Sequence, residues 1–260
     1  MKRFLKIIRW AVTIFFVSTI LAVVAYRFIP VYATPLMFIR CIEQVVDGKS
    51  ITWHHHWVPL EKMSPSMPVA VMASEDQRFL THHGFDFDAI QKAAESNKDG
   101  KKIRGGSTIS QQTAKNVFLW PRSSWIRKGF EVYYTLLIET FWSKERIMEV
   151  YLNVIEMGPG IYGAEAAAQH YFHCSAKHLS ARQAALITAC YPAPLKRNPG
   201  HPSGYVSHQA GVIQGRMARY GNPKFTKEYI SGCQKRYKEA VKKWETKKKR
   251  QVSKKRNTRR

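Results

Sequence analysis

Four segments hold residues whose types and spacing can do chemistry. In EDQRFLTHHGFD (residues 75–86), Glu75 falls on an apolar helical stretch beginning near Pro68, among Val71, Met72 and Phe79. A carboxylate against an apolar wall is desolvated, which makes it a better proton acceptor near neutrality. Asp76 is adjacent and points elsewhere, and His82 and Asp86 lie at or beyond the helix end. By itself a Glu-Asp pair is more simply a surface feature. In GGSTISQQTAKN (105–116), Gln111 and Lys115 are four residues apart and share a helix face, as do Gln112 and Asn116. A polar face with one lysine near a helix start suits an anion, because the helix N-terminus adds positive potential. The spacing is not that of a P-loop. In RKGFE (127–131), Arg127 and Glu131 are four apart. The simple reading is a helix ion pair worth about 0.3–0.5 kcal/mol. The chemical reading has Arg127 and Lys128 binding phosphate, with Glu131 a second active carboxylate. The fourth segment, KERIMEVYLNVIEMGPGIYG (144–163), reads as helix plus turn, with Tyr151-Leu152-Asn153 structural.

Other patterns carry less. Gly158-x-Gly160-x-x-Gly163 matches the dinucleotide fingerprint but follows a helix rather than a strand. No Asp or Glu occurs between Ala166 and Lys227 to bind a ribose, so the glycines are read as serving a tight turn. His54, His55 and His56 are consecutive and point in different directions, so they form no ready metal cage. Cys41, Cys174, Cys190 and Cys233 are widely spaced, without a Cys-x-x-Cys pair, and read as free thiols.

The elements that must position these residues are helical. Ser66 is expected to cap a helix ending at His83-Gly84, and a second short helix is expected over 86–96. A basic, glycine-rich loop follows at 97–106. Thr108 to Gln111 has capping-box spacing and opens a helix to about Leu119; Ser123 or Ser124 caps one to about Phe141; Ser143 starts one through Asn153. Residues 156–160 read as a turn before an alanine-rich helix to Phe172. Ser180 with Gln183 opens a helix that stops at Pro192, and two more fill 205–220 and 226–244. No alternating strand pattern is evident, so the fold class is mainly α.

Trp10 to Tyr26 is uncharged and mostly apolar, follows Lys2, Arg3, Lys6 and Arg9, and with snorkelling arginines can span a membrane. The positive-inside rule then leaves the N-terminus in the cytoplasm and the rest outside. Val23-Val24-Ala25 is a weak cleavage site with no Ala-x-Ala, so an uncleaved anchor is favoured over a signal peptide. The expected organisation is an anchor over 1–29, an extended connector near the membrane over 30–60, a catalytic domain over 61–222, and a helix with a basic tail over 223–260. Net charge is +24, and Lys235 to Arg260, with fourteen Lys/Arg and two Glu, supplies half of it. Such an excess points to an anionic partner.

Taken together and in order, EDQRFLTHHGFD, GGSTISQQTAKN, RKGFEVYYTLLIE and KERIMEVYLNVIEMGPGIYGAEAAA resemble the successive motifs of the peptidoglycan glycosyltransferase family, the polymerase module of bifunctional penicillin-binding proteins. The resemblance runs from about 58 to 220 and is nearest to the monofunctional, membrane-anchored biosynthetic form, since neither Ser-x-x-Lys nor Lys-Thr-Gly occurs and forty residues after Tyr220 are too few for a transpeptidase domain. Ser110 stands where the family commonly has Thr, and the hydroxyl is kept.

The resemblance implies a lysozyme-like, two-lobed helical fold with a cleft and a hydrophobic patch dipping into the membrane. It implies polymerisation of lipid II onto a growing glycan on undecaprenyl pyrophosphate. The acceptor GlcNAc 4-hydroxyl attacks C1 of the donor MurNAc, and a β-1,4 linkage forms. Glu75 matches the family's base and Glu131 its second essential glutamate. Glu131 would orient cations or hold a divalent metal (Mg or Mn), for which Glu75 is the other candidate. Lys115, Arg127 and Lys128 would meet the departing pyrophosphate. Asp76, Phe79, His82, Ser107, Thr108, Gln111, Gln112 and Asn116 would contact substrate. No organic cofactor and no nucleic acid are expected; cell-division or wall-synthesis proteins are candidate partners. The rival classes are a lysozyme-like lytic enzyme, which has no pyrophosphate to stabilise, and a membrane-tethered nucleic-acid binder, for which no motif is found.

Overall fold

The computed structural model describes residues 1–91, 106–221 and 223–257; the loop expected at 97–106 lies, but for Gly106, outside the described residues. Helix α1 (Lys2–Tyr26) has 25 residues, about 38 Å at 1.5 Å per residue, enough to cross a bilayer core. Only its Thr19 and Val23 are buried. These are the points where it docks. The Thr19 hydroxyl lies 2.8 Å from the Tyr133 hydroxyl, and the Trp142 indole N–H donates to the Val23 carbonyl at 2.7 Å. Arg146 donates to the Tyr26 carbonyl at 2.9 Å, meeting the unsatisfied C-terminal end of the helix.

The connector is not extended throughout. Helix α2 (Pro35–Val46) occupies its middle, with Thr34 as N-cap and Pro35 at the first position, where a missing N–H costs nothing. Its Leu36 and Met37 are buried while Phe38, Ile42, Val45 and Val46 are exposed. After it, β1 (His54–His55) joins β2 (Glu156–Gly158) and β3 (Ile161–Tyr162) in a sheet of order β1-β3-β2, parallel between β1 and β3 and antiparallel between β3 and β2. The expected turn at 156–160 is therefore a bulged hairpin. Strands this short leave no period-2 signature in the sequence. Gly160 and Gly163 have φ of +68° and +83°, and a Cβ there would stand 2.3 Å from the Thr52 carbonyl oxygen and 2.5 Å from that of Asn153. The glycine spacing serves this close packing.

Helix α3 (Ser66–Glu75) is buried from Met67 to Ala73 on every side, as a central helix must be. It starts after Pro65, with no side-chain cap, and stops at Glu75 rather than His83, because Asp76 is extended. A helical turn at 87–91 starts after Asp86, which accepts from the Ala89 N–H at 2.9 Å. The remainder of the helix expected over 86–96 lies outside the described residues. The hydroxyl caps act as their spacing predicts: Thr108 with Gln111 opens α4 (Ile109–Phe118), Ser124 opens α5 (Trp125–Phe141), and Ser143 opens α6 (Lys144–Val154). Helix α7 (Gly163–Phe172) follows the sheet, and Ser180 with Gln183 opens α8 (Ala181–Cys190). Helix α9 is Gly204–Met217, and α10, Lys227–Asn257, is longer than expected.

The helices pack as two groups, α4 with α5 and α6, and α3 with α8 and α9. Among the described residues the architecture is mainly helical. Replacing Gly163 by alanine should destabilise the protein by about 1–3 kcal/mol from backbone strain alone, read as a lower melting temperature. An unchanged melting temperature would contradict the packing assigned to this turn.

Candidate active site

Glu75 is the last residue of α3, where the chain leaves the core. Its Oε1 accepts from the Ser74 hydroxyl at 3.1 Å and its Oε2 from Gln112 Nε2 at 3.1 Å, so α3 of one helical group is joined to α4 of the other at this carboxylate. Gln112 Oε1 in turn accepts from the Tyr151 hydroxyl at 3.1 Å. Tyr151 is wholly buried; desolvation, then the Glu75 charge, push its phenol well above its ordinary range and keep it a donor.

Asp76 is buried and turned away from Glu75. Its carboxylate faces His82 Nε2 at 2.9 Å and accepts from the Ile109 N–H at 3.1 Å, at the positive end of α4. It fixes the segment after α3 to the helix that carries Gln112 and Lys115. Phe79 is 1% exposed, with Lys144 Nζ 4.6 Å above its ring. Lys144 is itself buried and bonded to Glu139 Oε1 at 2.6 Å; burial lowers its pKa, with Glu139 acting in the opposite direction. Ser110 also bonds Glu139. The hydroxyl that Ser110 shares with threonine is thus used inside the fold.

The cations converge on Glu131. Arg127 Nη1 donates to its Oε2 at 2.8 Å, and Lys128 Nζ bonds its Oε1. Glu131 and Arg127 are 3% and 8% exposed, far from the solvated surface pair that i,i+4 spacing ordinarily means. The Arg127 Nε is buried without a partner. Lys115 sits close enough to feel all three groups: burial lowers its pKa most, Glu131 raises it, and Arg127 and Lys128 lower it further. Glu156 also attracts Lys115 but is committed to Arg40, which donates to it at 2.9 and 3.1 Å. Among the described residues, three cationic groups therefore share the Glu131 carboxylate, and burial of Arg127 and Glu131 weakens the screening by water, while Lys128 is partly exposed. The start of α5 adds to it, since Ser124 caps that helix through the Arg127 N–H at 3.1 Å. The arrangement is built for an anion with several oxygens, such as a phosphate or pyrophosphate.

The structure brings Glu75 together with Gln112, Asp76 with His82, and Lys115 with Arg127, Lys128 and Glu131. It uses other candidates elsewhere. Gln111 is 3% exposed and accepts from the Thr108 N–H at 3.0 Å as the return half of the capping box. The Thr108 hydroxyl donates to the Gly84 carbonyl at 2.6 Å. These two hold the helix start, and Phe79 belongs to the core. Asn116 is largely buried on α4 and Ser107 is exposed just before it. Sequence reasoning missed Lys144, Tyr151 and the Arg40–Glu156 pair. No periodicity distinguishes a buried lysine at a helix start from an exposed one.

Residues 44–218 match the family model described as transglycosylase. The chain is 60% identical over 205 residues, 79% of its length, to the biosynthetic peptidoglycan transglycosylase of Bacteroides thetaiotaomicron, covering 83% of that protein. It is 55% identical over 208 residues to that of Bdellovibrio bacteriovorus, which it covers to 83% over 80% of its own length. With that of Pseudomonas syringae pv. syringae the identity is 45% over 232 residues, 89% of this chain and 95% of the other.

The Lys115 ammonium carries its charge only below its lowered pKa. Binding of a phosphoglycolipid at this cluster should weaken as pH rises, starting below the ordinary lysine value of 10.5. Lys115→Arg should remove this pH dependence, because guanidinium stays charged. Titrations of both proteins at several pH values check it, and identical profiles would contradict it.

Proposed function

The chain belongs to the transglycosylase family and is a peptidoglycan glycosyltransferase that polymerises glycan strands, and on that premise we propose that Glu75 is the general base and the cluster of Lys115, Arg127 and Lys128 the pyrophosphate site. The single observation that carries the assignment is the pairing of a fixed carboxylate at a helix end with a partly desolvated cluster of cationic groups around the buried Glu131. A lytic enzyme cleaving a neutral glycosidic bond has no use for that surplus.

In this reading the substrate is lipid II. The acceptor's 4-hydroxyl oxygen forms a bond to C1 of the donor MurNAc while its proton passes to Glu75. The bond from C1 to the pyrophosphate oxygen breaks, and the electron pair leaves with undecaprenyl pyrophosphate. The three cationic groups stabilise the charge that develops on that leaving group, an electrostatic contribution already in place before reaction. Glu131 acts by holding Arg127 and Lys128 toward the site. Glu131 and Glu75, the two candidates to hold a divalent cation, each have both oxygens bonded to neighbouring donors, so these residues as they stand do not fit a protein-held metal. No step is routed through it.

Helix α1 serves as the membrane anchor, with its basic start in the cytoplasm and the catalytic domain outside. Docking of Thr19, Val23 and Tyr26 on α5 and α6 ties the anchor to the helix that carries Arg127 and Glu131. Protein partners from cell division or wall synthesis remain part of the proposal, without a surface assigned to them.

Glu75→Gln keeps the size and removes the base, so turnover of labelled lipid II should fall about 10²–10⁴-fold with phosphoglycolipid binding retained. A loss below about tenfold in a correctly folded variant would remove Glu75 from this role. The basic tail is proposed to lie against anionic lipid. Deleting 246–260 should weaken binding of the anchor-free domain to anionic vesicles, by up to about 1 kcal/mol per basic residue at low salt, while sparing polymerisation in detergent. Equal vesicle binding with and without the tail would contradict it.

A further inference from the structure

Three hydrogen-bonding side chains from three different helices meet in a line: Tyr151 on α6, Gln112 on α4 and Glu75 at the end of α3. We propose that Tyr151 and Gln112 are positioning residues that act as a relay, Tyr151 holding the Gln112 amide with its NH2 toward Glu75 and Gln112 thereby fixing the carboxylate for proton transfer. This inference rests on Glu75 being the base.

The direction of each bond follows from donor and acceptor chemistry. An ionised carboxylate only accepts, so the amide must turn its nitrogen to Glu75 Oε2 and its oxygen away. That oxygen is left facing the interior and needs a donor. Tyr151 supplies one at 3.1 Å, from a ring that is 0% exposed. Without the phenol, the amide's two nearly isosteric ends compete. The reversed amide would set Oε1 against the carboxylate, partial negative charge against full charge. Burial keeps the phenol protonated, so it does not become a competing anion beside Glu75. Tyr191 packs edge-on against Tyr151 with ring centroids 6.3 Å apart and walls the relay from the α8 side. On the opposite side of the carboxylate the Ser74 hydroxyl holds Oε1 at 3.1 Å. Each oxygen then has one protein donor and retains a lone pair for the incoming proton.

Gln112 was expected to bind substrate, and Tyr151 to be structural. The relay assigns both an effect on turnover that passes through Glu75. Lys115 lies three residues beyond Gln112 on the same rigid helix, so the held carboxylate and the pyrophosphate site keep a fixed separation.

The test uses the full-length protein in detergent with labelled lipid II, and thermal melting to report folding. Tyr151→Phe removes one oxygen and keeps the ring. It should lower kcat about tenfold, the scale of one buried hydrogen bond, and leave KM and phosphoglycolipid affinity unchanged. Gln112→Met keeps side-chain length, removes both polar ends, and should lower kcat by a similar or larger factor. It carries the test even if the tyrosine variant does not fold. In the double variant, Tyr151→Phe should add nothing to Gln112→Met, because the phenol then has no amide to orient. Unchanged kcat in either single variant, a loss carried by KM, or two losses that multiply in the double variant would overturn the relay. Glu75→Gln run alongside separates the two claims. An active Glu75→Gln protein overturns the base, whereas an inactive one with wild-type Tyr151→Phe and Gln112→Met overturns the relay alone.

Discussion

Charge partly withdrawn from water is the constraint on which the site depends. Arg127 and Glu131 are nearly inaccessible and Lys115 is desolvated enough to lower its pKa, yet among the described residues Glu131 is the one carboxylate free to serve the three cationic groups. Removing charges from water is costly, and a cluster that does not neutralise itself is stabilised when an anion arrives. The fold accepts this locally because two capped helices hold the groups. Thr108 and Gln111 close the start of α4, Ser124 closes that of α5, and the two helices pack together. The uncommitted Nε of Arg127 is the sign of a site arranged for a group other than its own side chains.

The carboxylate proposed as the base is managed in the opposite way. Glu75 has one protein donor on each oxygen and stands where α3 ends, so the buried apolar helix supplies rigidity and Asp76, which leaves the helical conformation, supplies the exit. Asp76 then binds the start of α4 through Ile109 N–H. Proposed base, amide donor and cationic groups are thus set by contacts between three helices, with the anchor α1 bonded to α5 and α6 behind them.

Much of this was legible in the sequence because it is local. The spacings of Thr108 with Gln111 and of Ser180 with Gln183 give real capping boxes, and Ser124 and Ser143 open the helices they precede. The four-residue separation of Arg127 and Glu131 gives a real ion pair. What was missed depends on tertiary contact. The connector over 30–60 reads as extended until Pro35 is seen at the first turn of α2, and β1, β2 and β3 are too short to alternate. Gln111 and Gln112 are adjacent and chemically identical, yet one closes a capping box and the other meets Glu75. Only the packing of α4 against its neighbours separates them. Tyr151 meets Gln112, and Lys144 the Phe79 ring, across long stretches of chain, which periodicity cannot report.

The claim that joins these observations is that the surplus cationic charge around Glu131 is the seat of a pyrophosphate. Calorimetric titration of the full-length chain in detergent with a short polyprenyl pyrophosphate, compared with the matching polyprenyl alcohol and with the Arg127→Ala variant, tests it most directly. Binding should be seen for the pyrophosphate and not the alcohol, should weaken with salt, and should fall about tenfold or more when the arginine is removed. Equal affinity for pyrophosphate and alcohol, or an affinity that Arg127→Ala leaves unchanged, would contradict it.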